Sequence, residues 1–133
     1  MSKIDLDRDH YLELEKLALG AFSPAKGFMN EKEFISVVDH MHLTSGEIFP
    51  IPILLSLHRD QADSLRGNSR ISLFFDGREV GEIRPDDFYS IDKAKWIQKM
   101  FGTMDPNHPG VADFLSSGDV FIGGEVTLLD QAL

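Results

Sequence analysis

FGTMDPNHPGV, residues 101–111, packs an Asp-Pro, an Asn-His-Pro and two glycines into one short connection between two predicted helices. Proline fixes φ and glycine permits φ > 0, so this density of both marks a backbone held to one path. The stretch also places a carboxylate, Asp105, and an imidazole, His108, close together in a rigid loop. Two roles are open to that pair. It carries the groups for acid–base catalysis or for part of a metal site. The same residues suit a structural role, in which Asp105-Pro106 starts an Asx-stabilised turn and Asn107 or His108 caps the helix that Pro109 opens. A catalytic pair needs a nucleophile or a third ligand, and this stretch names neither.

Upstream of the loop, Asp92 caps a predicted helix reaching about Phe101, with Trp96, Ile97, Met100 and Phe101 apolar. Downstream, the helix opened by Pro109 runs through Leu115 and stops at Gly118. Asp119–Ile122 and Glu125–Leu129 read as two strands broken at Gly123-Gly124. Ile71–Phe75 and Glu79–Arg84 read as strands joined across Asp76-Gly77, a strong hairpin signal, with Pro85 ending the second. Phe88–Ile91 is a further short extended piece.

Towards the amino end, residues 59–65 form a short helix carrying Ala62 and Leu65 and closed by Gly67. FPIPILLSL, residues 49–57, is apolar and β-prone. Pro50 and Pro52 donate no ladder bonds, which puts the first half on an edge and starts the strand proper near Ile53. Asn30 begins a helix with Glu33 three residues on, a variant of the capping box, and with Phe34, Val37, Val38 and Met41 as its buried stripe. Residues 20–29, GAFSPAKGFM, are a loop containing Pro24 and Gly27. Before it, Asp7 or Asp9 caps a helix to about Leu19 whose Leu14, Leu17, Ala18 and Ala21 share one face. Two helices followed by short strands and short helices predict an α+β domain over residues 1–133, with a small, partly closed β-barrel flanked by helices.

Bulk properties agree with one soluble domain. The 133 residues are 42% hydrophobic and 26% charged, and the net charge is −9. The absence of cysteine excludes disulfides, thiolate metal sites and Cys nucleophiles. No apolar run approaches the roughly 20 residues of a membrane span, and the charged amino end, MSKIDLDRDH, resembles no signal peptide; a cytoplasmic protein with no membrane partner is expected. The acidic balance argues against nucleic acid as a partner, since only Lys93, Lys95 and Lys99 group and helical spacing spreads them.

Other chemistry is sparse. His40 and His42 stand at i, i+2, which does not share a helix face, so no metal is expected there. Gly123-Gly124 lacks the following GK[ST] of a phosphate loop and suits a bulge or bend. Ser23 has no base near it in sequence, and no G-x-S-x-G elbow is present. Lys26 has the charge to meet an anion or a neighbouring domain, or simply to face solvent.

Taken together the loops resemble a family. LALGAFSPAKGFMNEKEF, FPIPILL, FGTMDPNHPGV and GDVFIGGEVTLL are similar, in this order, to segments of the amino-terminal part of ATP sulfurylase (sulfate adenylyltransferase), and they span residues 12–129. Ala25 stands where that family usually has Leu, and Phe49 where it has Trp. The family's catalytic stretch, Gln-x-Arg-Asn-Pro-x-His-x-x-His, has no counterpart in this chain. The resemblance therefore implies the PUA-like front domain alone, with no catalytic residue carried over; no cofactor and no metal are expected. It implies a structural or docking module for a catalytic domain on another chain, or for a homo-oligomer. The alternative is a stand-alone binding module for an anion or nucleotide, with Lys26, Asp105 and His108 from loops 20–29 and 101–111 reaching the ligand.

Overall fold

The computed structural model describes residues 2–23, 25–49 and 52–129. The elements in order are β1 (Lys3–Asp5), α1 (Arg8–Ala18), β2 (Gly27–Phe28), α2 (Glu31–His40), β3 (Ser56–Leu57), α3 (Arg59–Leu65), β4 (Ile71–Phe75), β5 (Arg78–Ser90), α4 (Lys93–Phe101), α5 (Pro109–Ser116) and β6 (Val120–Leu128). The strands form one six-stranded sheet, ordered β1-β4-β5-β6-β2, with β3 also paired to β6. Only β1 pairs in parallel, with β4; every other pairing is antiparallel. The α+β class is as expected. The partly closed barrel is only loosely matched: β1 and β2 end the strand order without meeting, so the sheet is open among the described residues.

Local sequence sets the helix ends. Asp7, Asn30, Asp92 and His108 are the residues before α1, α2, α4 and α5, and each side chain accepts a backbone N–H of its first turn. Glu33 does not complete a capping box. Its carboxylate accepts the N–H of Thr44 at 2.8 Å instead, tying the loop after α2 back to that helix. Asp76 and Gly77 both take positive φ, 52° and 78°, which matches the two-residue turn whose twist suits a hairpin.

Three strand boundaries differ from expectation, each because of backbone packing. Pro85 does not end β5. It pairs opposite Gly124, and a register shift between Pro85 and Asp87 absorbs the missing donor, so β5 runs on through Ser90. Gly123 and Gly124 do not break β6 but let another segment cross it closely. A Cβ on Gly123 would lie 2.5 Å from the backbone of Asn30, and one on Gly124 2.2 Å from the carbonyl oxygen of Arg84. Finally, Ile53–Leu55 is extended without being assigned to a strand; Ile53 O accepts from Met29 N and Leu55 O from Ile122 N, and the ladder proper is β3 alone. Residues 27–28, read as loop, form β2 against β6. Pro24 and Pro50 lie outside the described residues.

β6 separates two cores. Val120 and Ile122 join the larger one with Leu14, Leu17, Ile71, Leu73 and Ile83, whereas Phe121 between them joins an aromatic one with Phe34, Tyr89, Trp96 and Phe114. Alternation along a strand sends successive side chains to opposite faces, so α1 covers one face while α2, α4 and α5 contribute to the other. In the aromatic core Phe34 meets Trp96 edge-on at 5.1 Å between centroids, and Phe114 lies 6.0 Å from Phe121.

The crossing of β2 over β6 is the tightest backbone contact: a Cβ at Gly27 would stand 1.8 Å from the carbonyl oxygen of Gly124. Gly27→Ala is expected to destabilise by about 3 kcal/mol or more, because neither backbone can yield without opening the ladder. Urea unfolding checks this; an unchanged midpoint would contradict the crossing.

Candidate functional site

The loop of residues 102–111 is built almost wholly from internal hydrogen bonds. Gly102, at φ 72°, ends α4 in the left-handed region, and its N–H donates to Gln98 O. Thr103 Oγ1 accepts from Asp105 N at 3.1 Å. The Asp105 carboxylate accepts from Asn107 N at 2.9 Å, while Asp105 O accepts from His108 N at 3.0 Å. His108 Nδ1 then accepts from Gly110 N at 3.1 Å and Val111 N at 3.4 Å. An accepting Nδ1 places the neutral ring's proton on Nε2. The ring also stands 5.8 Å from that of Phe101, and Val111 and Phe114 behind it are buried.

Asp105 and His108 therefore sit in one turn, both exposed, and each side chain serves its neighbouring backbone. No described hydrogen bond joins the two side chains to each other. Lys26 lies elsewhere, before β2. Its carbonyl accepts from Val126 N, and its ammonium has no partner among the described residues. It lines two clefts, of ≈210 and ≈360 Å³, that share Glu125 and Ala25; neither is lined by Asp105 or His108. Glu125 is itself paired with Arg84 at 2.7 Å. Among the described residues no three His, Cys, Asp or Glu side chains are grouped to hold a metal, and no helix is long and apolar enough to cross a membrane.

A cleft without any Lys or Arg in its lining was not singled out in the sequence. It measures ≈300 Å³ and lies between α1 and α5, with Asp9, His10 and Glu13 on one wall and Asp113 on the other. The signal available was the Asp7, His10, Glu13 spacing of three residues at the start of an amphipathic helix, which stacks the three along one face. His10 Nδ1 meets Asp7 Oδ1 at 2.7 Å, and His10 Nε2 stands 4.0 Å from Glu13 Oε1. Burial alone would raise the Asp7 carboxyl, but the backbone and ring of His10 outweigh it and hold Asp7 below its ordinary value. Burial lifts the Glu13 carboxyl above its ordinary value, and the charges of Asp7 and Asp9 add to that against partial relief from His10 and Lys16. Outside the cleft, burial lowers the Lys93 ammonium, partly offset by Asp119.

Two outcomes follow. His108→Ala should cost about 1 kcal/mol by orphaning the first-turn N–H groups of α5, and His108→Asn should restore most of it. Thermal unfolding of the two variants checks this, and equal losses would remove the capping role. For Glu13, a folded-state pKa raised above the ordinary value of 4.5 means the native state holds its proton more tightly than the unfolded chain. Its contribution is favourable below that value and is lost as pH rises through the folded pKa. Glu13→Gln should accordingly raise stability at neutral pH relative to acid conditions, read from urea midpoints in each; a gain that does not grow with pH would contradict the assignment.

Comparison with known proteins places this geometry. A family model described as a PUA-like domain matches residues 1–131. A sulfate adenylyltransferase of Schizosaccharomyces pombe is 41% identical over 131 residues, covering 95% of this chain and 26% of the relative. One from Thermococcus onnurineus is 34% identical over 128 residues, covering 96% and 33%. Among solved structures, a hexameric APS kinase from Thiobacillus denitrificans aligns with a TM-score of 0.67 at 25% identity, covering 96% of this chain and 21% of that one. The chain thus spans a quarter to a third of the curated relatives it matches. With its open mixed sheet, its capped loop and a match along nearly its whole length, the chain belongs to the PUA-like domain family and is similar throughout to that domain of the sulfate adenylyltransferases.

Proposed function

We propose that this chain is a non-catalytic PUA-like module of sulfate activation, working in the cytoplasm as a structural or docking element for a catalytic domain or partner chain. The observation that carries this is one of proportion: the similarity covers 95% of this chain and only 26% of the S. pombe relative. The resemblance places the family's Arg-Asn-Pro and His-x-x-His motifs outside this stretch, and the sequence contains neither. The geometry supports the same reading. The residues with catalytic groups in the signature loop, Asp105 and His108, are engaged as a turn former and a helix cap. The competing ligand-site reading needs Lys26, Asp105 and His108 to converge, and the two clefts at Lys26 include neither of the others.

Purified chain given ATP and sulfate should release no pyrophosphate above background. Mixed with a related sulfate adenylyltransferase from which the matching domain has been deleted, it should co-elute and restore turnover. Pyrophosphate release by the chain alone would overturn the non-catalytic half of the proposal. Absence of any complex at micromolar concentrations would overturn the docking half.

A further inference from the structure

We propose that the cleft between α1 and α5 is a docking groove for a basic segment of a partner protein, with an arginine or lysine stem on its apolar floor and the charged head between its carboxylates. This rests on the docking reading above and adds the face used and the chemistry of what it receives.

The groove combines three features. Its floor is apolar, made by Leu54, Phe114 and Phe121. Its walls are acidic, with Asp9 and Glu13 from α1 facing Asp113 from α5. No Lys or Arg lines the cleft, and no described ion pair within 4.0 Å joins a Lys or Arg to these carboxylates; Glu13 meets the His10 ring at 4.0 Å and is partly relieved by the more distant charge of Lys16. Asp9 and Asp113 are exposed and Glu13 is half-buried, so the three like charges repel one another across the cleft, and an incoming ammonium or guanidinium offsets that repulsion. Burial, with the acidic charges of Asp7 and Asp9 beside it, displaces the Glu13 carboxyl upward.

Charge complementarity selects the occupant. A long aliphatic stem with a cationic head matches an apolar floor under acidic walls, as Lys and Arg side chains bury their stems and keep their heads polar. Two residues of the groove already receive such a side chain from outside it: Lys93 Nζ donates to Ser117 O at 2.8 Å and to Ser117 Oγ at 3.0 Å, and lies 5.5 Å from the centroid of the Phe114 ring. Nucleic acid is excluded as occupant by the same carboxylates and by the net charge of −9.

The test uses the peptide acetyl-Leu-Arg-Leu-Arg-amide, its Glu-for-Arg counterpart and arginine amide, titrated into the chain and read by amide-resolved NMR. The Arg peptide is expected to shift the amides of Asp9, Glu13, Leu54 and Asp113, to weaken with added salt, and to bind more tightly than arginine amide. The double substitution Glu13→Gln with Asp113→Asn should weaken it about tenfold, in line with two partly exposed ion pairs. These are near-isosteric surface changes, and the free variant's own spectrum reports whether it is folded. The proposal fails if the Arg peptide gives no shifts, if the Glu peptide gives the same ones, if the shifts map to another face, if the double variant binds equally, or if arginine amide binds as tightly. Failure here with a complex in the mixing experiment would remove the groove and leave docking standing. Peptide binding without that complex would keep the groove and remove the sulfate-activation partner.

Discussion

The fold turns on one close approach of backbone to backbone. Residues 27–30 cross β6 where Gly123 and Gly124 lie, and side chains are absent on both sides of the crossing at Gly27 and Gly124. Removing Cβ atoms lets the chains approach at a distance that no other residue allows. From that crossing several placements follow. Phe28 and Met29 enter the larger core. Met29 O accepts the buried hydroxyl of Tyr89, which fixes the strand carrying the aromatic core. Asn30 emerges at the cap of α2, where Asp86 and Asp87 from the bulged part of β5 meet it and Glu31 N. The bulge at Pro85 and the glycine pair in β6 are therefore two halves of one device, since Pro85 pairs opposite Gly124.

Much of this was legible in the sequence wherever a residue acts on its own neighbours. Asp7, Asn30, Asp92 and Pro109 marked helix starts correctly because a cap depends on the next three residues. Asp76-Gly77 marked its hairpin for the same reason. The errors fall where distant segments decide. Gly123-Gly124 and Pro85 read as breaks, since local propensity disfavours both in a strand, yet pairing between β5 and β6 carries the chain through each. β1 and β2 were missed because strands of three and two residues leave no alternating pattern to detect. Barrel closure was an expectation about how the sheet edges meet, a property no single stretch encodes.

The candidate site divides in the same way. Asp105 and His108 were found because Pro and Gly flag their loop, and their structural use was one of the two readings available from the sequence. That these two residues and Lys26 lie apart is a matter of tertiary placement, which adjacency in a motif does not reveal. The cleft of α1 and α5 joins residues about one hundred positions apart and carries no motif at all. A signature loop and a functional surface need not coincide. Here the signature stabilises one chain reversal, while the acidic cleft is assembled from two helices, α1 and α5, far apart in the chain.

The charge distribution shows why such a surface is available to serve recognition. The described ion pairs are exposed or half-exposed; Arg84 and Glu125 show 50% and 51% side-chain exposure, and Arg66 and Asp63 show 49% and 65%. Exposed pairs contribute little to stability, typically about 0–1 kcal/mol each. The chain is held instead by apolar cores in which Leu14, Ile71, Leu73 and Ile83 are fully buried, and among the described residues no charged side chain is buried. Some surface carboxylates act locally as caps and turn formers, as Asp7, Asp92 and Asp105 do, and self-repulsion at a net charge of −9 would favour spreading the others apart. Asp9, Glu13 and Asp113 do the opposite, lining one cleft without a Lys or Arg between them. Gathering like charges in one cleft gains the apolar cores nothing, and it is the arrangement that the basic occupant proposed for the groove would offset.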